Sequence, residues 1–193
     1  MSSTARPLTV RFERALAYAA RLHAAQFRKG TARPYVGHLL GVASIVLTHG
    51  GDEDEAIAAL LHDAVQDQGG KPRLREIRRK FGSRVARIVD GCTDADTIPK
   101  PPWLERKKAY LHHLRSADAS TCLVSAADKL YNAREILDDY RTHRERLWHR
   151  FSGRKEGTLW YYRAVARTLR GKCQGALVEE LARVVQQLER LAR

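Results

Sequence analysis

Asp52-Glu53-Asp54-Glu55-Ala56-Ile57-Ala58-Ala59-Leu60-Leu61-His62-Asp63-Ala64-Val65-Gln66-Asp67 is the stretch that fixes the fold class. Asp52 followed three residues later by Glu55 has the form of a capping box, in which each side chain satisfies a free backbone donor at the start of a helix. Ile57, Leu60 and Leu61 then recur at helical spacing, so the stretch reads as a helix running towards Asp67 and stopping at Gly69-Gly70. His62, Asp63 and Asp67 are polar groups carried by an otherwise apolar helix. A carboxylate on a buried helical face is costly unless it is paired or bound to a metal.

The same periodicity extends in both directions. Upstream, Ala15, Tyr18, Leu22 and Ala25 mark a first helix ending near Arg28-Lys29-Gly30. Pro34 leads into a second through Leu40, Val42, Ile45 and Val46, closed by Gly50-Gly51. Downstream, Pro72 reopens a helix with Leu74, Ile77 and Phe81, stopped by Gly82, and a short one with Val85, Ile88 and Val89 ends at Gly91. Residues 94–102 hold three prolines and read as a loop. Helices follow over about 104–114, 123–137, 159–169 and 177–191. Alternating β-branched segments are missing, so the class is all-α, a single-domain helical bundle over residues 1–193 with an uncommitted tail at Met1–Pro7.

Composition narrows the function classes. The 193 residues are 44% hydrophobic and 30% charged, as in globular proteins, and no apolar run is long enough to span a bilayer. With no basic-then-apolar leader, the expected location is cytoplasmic. Three cysteines without ligand spacing read as reduced thiols. A net charge of +13 attracts polyanions. The basic residues are spread along the chain, which favours a nucleotide with several phosphates over nucleic acid.

His38, His62, Asp63 and Asp128 stand out as metal ligands. Taken alone, a histidine after Pro34-Tyr35-Val36-Gly37 reads as a packed or solvated side chain. Asp128, however, follows Val124-Ser125-Ala126-Ala127, a second carboxylate on an apolar helix. Imidazole and carboxylate together suit a divalent ion with open positions, such as Mn²⁺, Fe²⁺ or Zn²⁺. Such an ion lowers the pKa of a bound water and polarises a phosphoryl oxygen. Asn132 lies four residues after Asp128, on the same helix face.

His38, His62-Asp63 and Asp128 match the H…HD…D pattern of the HD superfamily. The words around them are Gln26-Phe27-Arg28-Lys29, Pro34-Tyr35-Val36-Gly37-His38, Ala59 to Asp67, Phe81-Gly82, Thr93 to Lys100 and Ala127-Asp128-Lys129-Leu130-Tyr131-Asn132. In this order they resemble the hydrolase domain of the RelA/SpoT family, especially its small stand-alone alarmone hydrolases of the metazoan Mesh type. The resemblance implies an HD-type helical bundle holding Mn²⁺ on His38, His62, Asp63 and Asp128. It also implies removal of the 3′-pyrophosphate from (p)ppGpp, with NADPH dephosphorylation in some related enzymes. Arg28 and Lys29 would lie beside the nucleotide, Asn132 would contact the sugar, and Lys100 and Tyr161 are further candidate contacts.

Gln66 departs from that family, which usually carries Glu at this position ahead of Asp67. Glutamine can orient a water but cannot take its proton. Three readings stay open: Asp67 does the acid–base work, the chain binds nucleotide with weak or no turnover, or Gln66 is a deliberate trap for substrate. Glu135, where several relatives have a small hydroxyl residue, and Leu39, in place of a frequent proline, are smaller departures. His112-His113 and the run Arg144 to Arg154 read as solvated, and Trp148, Trp160 and Tyr162 as core.

Overall fold

Asp52 accepts from the Glu55 backbone while the Glu55 side chain accepts from the Asp52 backbone, so the expected capping box is formed. The helix it starts is buried on every side, with Ala56 to Leu61 fully enclosed. A helix apolar all round belongs at the centre of its fold. In the computed structural model, which describes residues 7–95 and 99–193, the other helices pack around it. Residues 1–6 of the expected tail, and Asp96, Thr97 and Ile98 of the proline-rich loop, lie outside the described residues.

The helices are α1 (Val10–Leu22), α2 (Val36–Thr48), α3 (Glu53–Leu61), α4 (Ala64–Asp67), α5 (Gly70–Phe81) and α6 (Ser83–Cys92). After the loop come α7 (Trp103–Leu114), α8 (Ala119–His143), a 3-10 helix over Arg144–Arg150, α9 (Arg154–Lys172) and α10 (Ala176–Leu191). Among the described residues the one extended pairing is an isolated bridge between Phe27 and Pro34, so the all-α class holds. The long α8 packs on α2, α3, α6, α9 and α10, and its buried residues join a single continuous core. Among the described residues no helix is long and apolar enough to cross a membrane.

Four expectations are corrected. The third helix does not run through to Asp67: it breaks at His62-Asp63, where Asp63 has φ −94° and ψ −4°, and restarts as α4. The first helix stops at Leu22, leaving Ala25 outside, because the chain turns there into a narrow loop. That loop is closed by Arg28 N–H donating to the Arg33 carbonyl and Tyr35 N–H to the Gln26 carbonyl, each at 2.9 Å. Gly91 does not end α6, which runs on to Cys92; the position is glycine because a Cβ there would come within 2.7 Å of the Thr121 side chain on α8. The run after Arg144 is not simply solvated. Its 3-10 helix buries Leu147 and Trp148 while its arginines and His149 stay outside the core.

Candidate metal centre and substrate cavity

Each ligand candidate reaches the same point from a different part of the chain. His38 sits in the first turn of α2, His62 and Asp63 occupy the break between α3 and α4, and Asp128 lies within α8. The break resolves a geometric problem, since adjacent residues of an unbroken helix point about 100° apart. His38 Nε2 and His62 Nε2 are 3.3 Å apart. Asp128 Oδ1 lies 3.4 Å from the first and 3.6 Å from the second. Asp63 Oδ2 lies 3.5 Å and 3.0 Å from the same two nitrogens.

The surroundings set these groups up as ligands. His62 Nδ1 is 2.8 Å from the Ala59 carbonyl, which can only accept, so Nδ1 carries a proton and Nε2 is the nitrogen turned to the shared point. Tyr35 donates its hydroxyl to Asp63 Oδ2 at 2.5 Å, and burial keeps that phenol protonated. His38 is packed edge-on by Tyr131, with ring centroids 5.1 Å apart. Gly41 makes room for that ring, for a Cβ there would lie 2.0 Å from Tyr131 Cε2.

Burial works against every charge here, yet Asp63 is held well below the usual carboxylate range by His62 and His38. Burial is likewise outweighed at Asp128, by Lys129 and the two histidines. Two ionised carboxylates and two imidazole nitrogens facing one point fit a divalent cation, with His38, His62 and Asp128 mutually within 4.8 Å.

A cavity of about 390 Å³ opens from this centre. Arg28, Lys29, Gln66, Asp67, Asn132 and Tyr161 all line it, together with Asp63 and Asp128. Lys100 stands beside it, with Nζ 3.6 Å from Asp67 Oδ1. The amide of Asn132 is already engaged: Nδ2 donates to Asp128 Oδ1, and its oxygen accepts from Arg28 Nη2 at 2.5 Å. Gln66 Oε1 accepts from the Asp94 backbone N–H at 3.3 Å. Asp67 Oδ2 accepts from Gln26 Nε2 at 2.9 Å, and the oxygen of Gln26 accepts in turn from His23 Nδ1 at 2.7 Å. His112 and His113 are exposed on α7, as expected.

Several residues at the site have no role assigned from sequence, Glu135 among them although it stands out as a departure from the family. Gln26 and Tyr35 orient Asp67 and Asp63. Glu135 pairs with Arg28 and lies 3.7 Å from Arg33. Lys129, next to Asp128 in the chain, is buried and donates to Asp128 Oδ2. Lys107 is the most deeply hidden in the sequence, sitting in the basic run Arg106-Lys107-Lys108. Its signal is positional, because it falls on the stripe of Trp103, Tyr110, Leu111 and Leu114 that α7 turns inward. Burial and the nearby Lys129 pull the Lys107 pKa down.

These features place the chain among the metal-binding helical bundles of the HD type. It belongs to the HD domain family, which matches residues 15–157. Among curated proteins it is similar to the guanosine-3′,5′-bis(diphosphate) 3′-pyrophosphohydrolase MESH1 of Xenopus tropicalis, 42% identical over 122 residues. The human MESH1 is 40% identical over the same length. Each match covers 62% of this chain and 65% of the relative, so the aligned segment spans a little under two thirds of those proteins.

A solved structure, described as a metazoan ortholog of SpoT that hydrolyses ppGpp, superposes with a TM-score of 0.79. It is 28% identical, covering 95% of this chain and 98% of that one. A Listeria monocytogenes protein superposes at 0.68 and 27% identity, over 77% of this chain and 96% of its own.

Proposed function

We propose that this chain is a metal-dependent hydrolase of guanosine 3′,5′-bis(diphosphate) and its pentaphosphate relative, releasing pyrophosphate from the 3′ position. The observation that carries the reading is the convergence of His38, His62, Asp63 and Asp128 at the end of a cavity whose wall carries six cationic side chains and six carboxylates, Asp63 and Asp128 among them. Proteins named for this activity are 42% and 40% identical to the chain over 122 residues, and the ppGpp-hydrolysing neighbour matches along nearly its full length.

The four ligands would hold Mn²⁺, a borderline ion suited to two nitrogens and two oxygens. When bound, such an ion supplies positive charge against a phosphoryl oxygen and lowers the pKa of a water. The remaining work falls to the chain. Asp67, fixed by Gln26 and Lys100, takes a proton from the attacking water. The phosphorus–O3′ bond breaks, the 3′ oxygen regains a proton, and pyrophosphate leaves. Gln66 orients the water through its amide but cannot receive the proton. Arg28, Lys29 and Lys100 offset phosphate charge, and Asn132 steadies Asp128 beside the sugar. On this reading the protein works in the cytoplasm.

Two other readings are separated from this one by their products. Gln66 in place of glutamate favours a nucleotide sensor that binds without turnover. A phosphatase acting on a 2′-phosphorylated nucleotide such as NADPH would release orthophosphate instead. The test is incubation with Mn²⁺ and a panel of 3′-diphosphorylated and 2′-phosphorylated nucleotides, with products identified, for the chain and its Gln66→Glu variant. Pyrophosphate release is expected from both, with the variant faster by roughly 10²–10⁴-fold if glutamate supplies the usual general-base factor. No turnover by either form on any nucleotide would end the hydrolase reading, and tight binding unaltered by Gln66→Glu would establish the sensor.

A further inference from the structure

Asp128 divides the cavity wall into two branches. Through Oδ1 it meets Asn132, which binds Arg28. Through Oδ2 it meets Lys129, whose ammonium also stands 5.2 Å from the Tyr110 ring. The second branch continues to Lys107, which donates to Asp94 Oδ2 at 2.6 Å and stands 4.7 Å from the centre of the Tyr161 ring. Arg106 donates to that same Asp94 oxygen at 2.7 Å.

Two buried polar atoms of this second branch have no hydrogen-bond partner among the described residues, Asp94 Oδ1 and the Tyr161 hydroxyl. The Tyr161 hydroxyl is buried, with the residue 5% exposed, and has no hydrogen-bond partner among the described residues although Tyr161 lines the cavity. The Lys107 and Lys129 side chains are only 16% and 14% exposed. Each ammonium has three donors and spends one on a carboxylate. A buried phenol without a partner costs free energy that a bound acceptor removes. Two ammonium groups and a phenol presented together suit the several oxygens of a phosphoryl group, with charge-assisted bonds from the lysines.

We propose that Lys107, Lys129 and Tyr161 form a subsite for the terminal phosphoryl group of a diphosphate ester, the group that leaves as the far half of pyrophosphate. The inference builds on the hydrolase reading above and deepens it. The nucleoside lies along the branch of Asn132 and Arg28, the terminal phosphoryl along the branch of Lys129 and Lys107, and the scissile phosphorus sits between them beside Asp128. The subsite selects diphosphate over monophosphate esters. A monophosphate leaves it empty, with the Tyr161 hydroxyl still unpaired and two buried ammonium groups undercompensated, a penalty that polar sites use to reject shorter substrates. Lys107 and Tyr161 are therefore substrate-binding residues with a defined target, and the discrimination lies in them, not in the outer arginines.

The test measures binding of inorganic pyrophosphate and of orthophosphate by calorimetry in one Mn²⁺-containing buffer. It compares the full chain with its Lys107→Met, Lys107→Arg and Tyr161→Phe variants, and follows hydrolysis of guanosine 3′,5′-bis(diphosphate) in parallel. Pyrophosphate should bind at least about tenfold more tightly than orthophosphate, as expected for added charge-assisted hydrogen bonds. Lys107→Met and Tyr161→Phe should each erase most of that preference and raise KM, with orthophosphate and Mn²⁺ affinity unchanged, and Lys107→Arg should restore part of it.

Equal affinity for the two anions, or variants that keep the preference, overturns the subsite even if the chain hydrolyses the nucleotide. A pyrophosphate preference that depends on Lys107 and Tyr161 in a protein without turnover upholds the subsite while the hydrolase reading fails. If Lys107→Met does not fold, Tyr161→Phe, which removes a single oxygen atom, decides the matter alone.

Discussion

The outer and inner cations of the cavity are paired alike, three on two carboxylates in each group, and differ in what lies beside them. In the outer group Arg28 pairs with Glu135, while Arg33 at 2.9 Å and Arg150 at 3.1 Å share the two oxygens of Asp139. Each of these cations already has a carboxylate partner. The inner group, Lys107, Lys129 and Arg106, shares Asp94 and Asp128, and it adjoins a buried hydroxyl with no partner. A formal charge of +13 therefore says little about where an anion binds. What matters is which cations keep donors in reserve inside a region where water competes poorly.

The comparison breaks first at the metal ligands, where the largest effect is expected. Asp128 joins the two branches, so Asp128→Asn should abolish turnover and Mn²⁺ binding together while leaving the helices formed. A charge-neutral amide cannot replace the carboxylate between two imidazoles and Lys129. Calorimetric titration with Mn²⁺, alongside circular dichroism to check folding, measures this. Tight Mn²⁺ binding by the variant would mean that the four side chains do not act as one ligand set.

A smaller effect should come from Tyr35→Phe. The variant keeps the ring that stacks on His23 and lies 5.6 Å beneath the Arg28 guanidinium, and it removes only the hydroxyl that binds Asp63 Oδ2. Partners of this kind, one step behind a metal ligand, typically contribute 10–100-fold in metal affinity. A loss of about tenfold in Mn²⁺ affinity with little change in thermal stability is the expected result. Unaltered affinity would show that Asp63 is oriented by the chain break alone.

The proposed ligands are legible in the sequence because ionisable residues on apolar helices have few explanations. Asp63 and Asp128 both interrupt runs that otherwise serve only to pack. The helix break at His62-Asp63 is not legible. From Leu61 to Gln68 the sequence has no glycine or proline, so local preference continues the helix. The chain leaves it at His62-Asp63, where His62 Nδ1 takes the Ala59 carbonyl and Asp63 takes Tyr35 from a loop distant in sequence. Gly91 misleads in the other direction, since its lack of a side chain serves contact with Thr121 and not helix termination. Lys107 is hidden because a basic run reads as solvated, and only its place on the inward stripe of α7 separates it from Lys108.

The smallest expected effect sharpens the contrast from the outer side. Glu135 stands seven residues after Asp128 on the same face of α8, and its carboxylate neutralises Arg28 at the end of the Asn132 branch. Glu135→Gln keeps the shape and one hydrogen-bond acceptor but removes the charge, leaving Arg28 to meet an incoming phosphate without competition. Both partners are about one fifth exposed, so the pair is screened and contributes on the order of 1 kcal/mol or less. KM for a guanosine polyphosphate should fall by only about two- to fivefold, more at low salt than at high, with kcat nearly constant. Initial rates across a range of salt concentrations would measure it. If the change instead matched the size expected for Lys107→Met, the outer arginines would be binding the phosphates as strongly as the inner lysines, and the division of labour between the two groups would be lost.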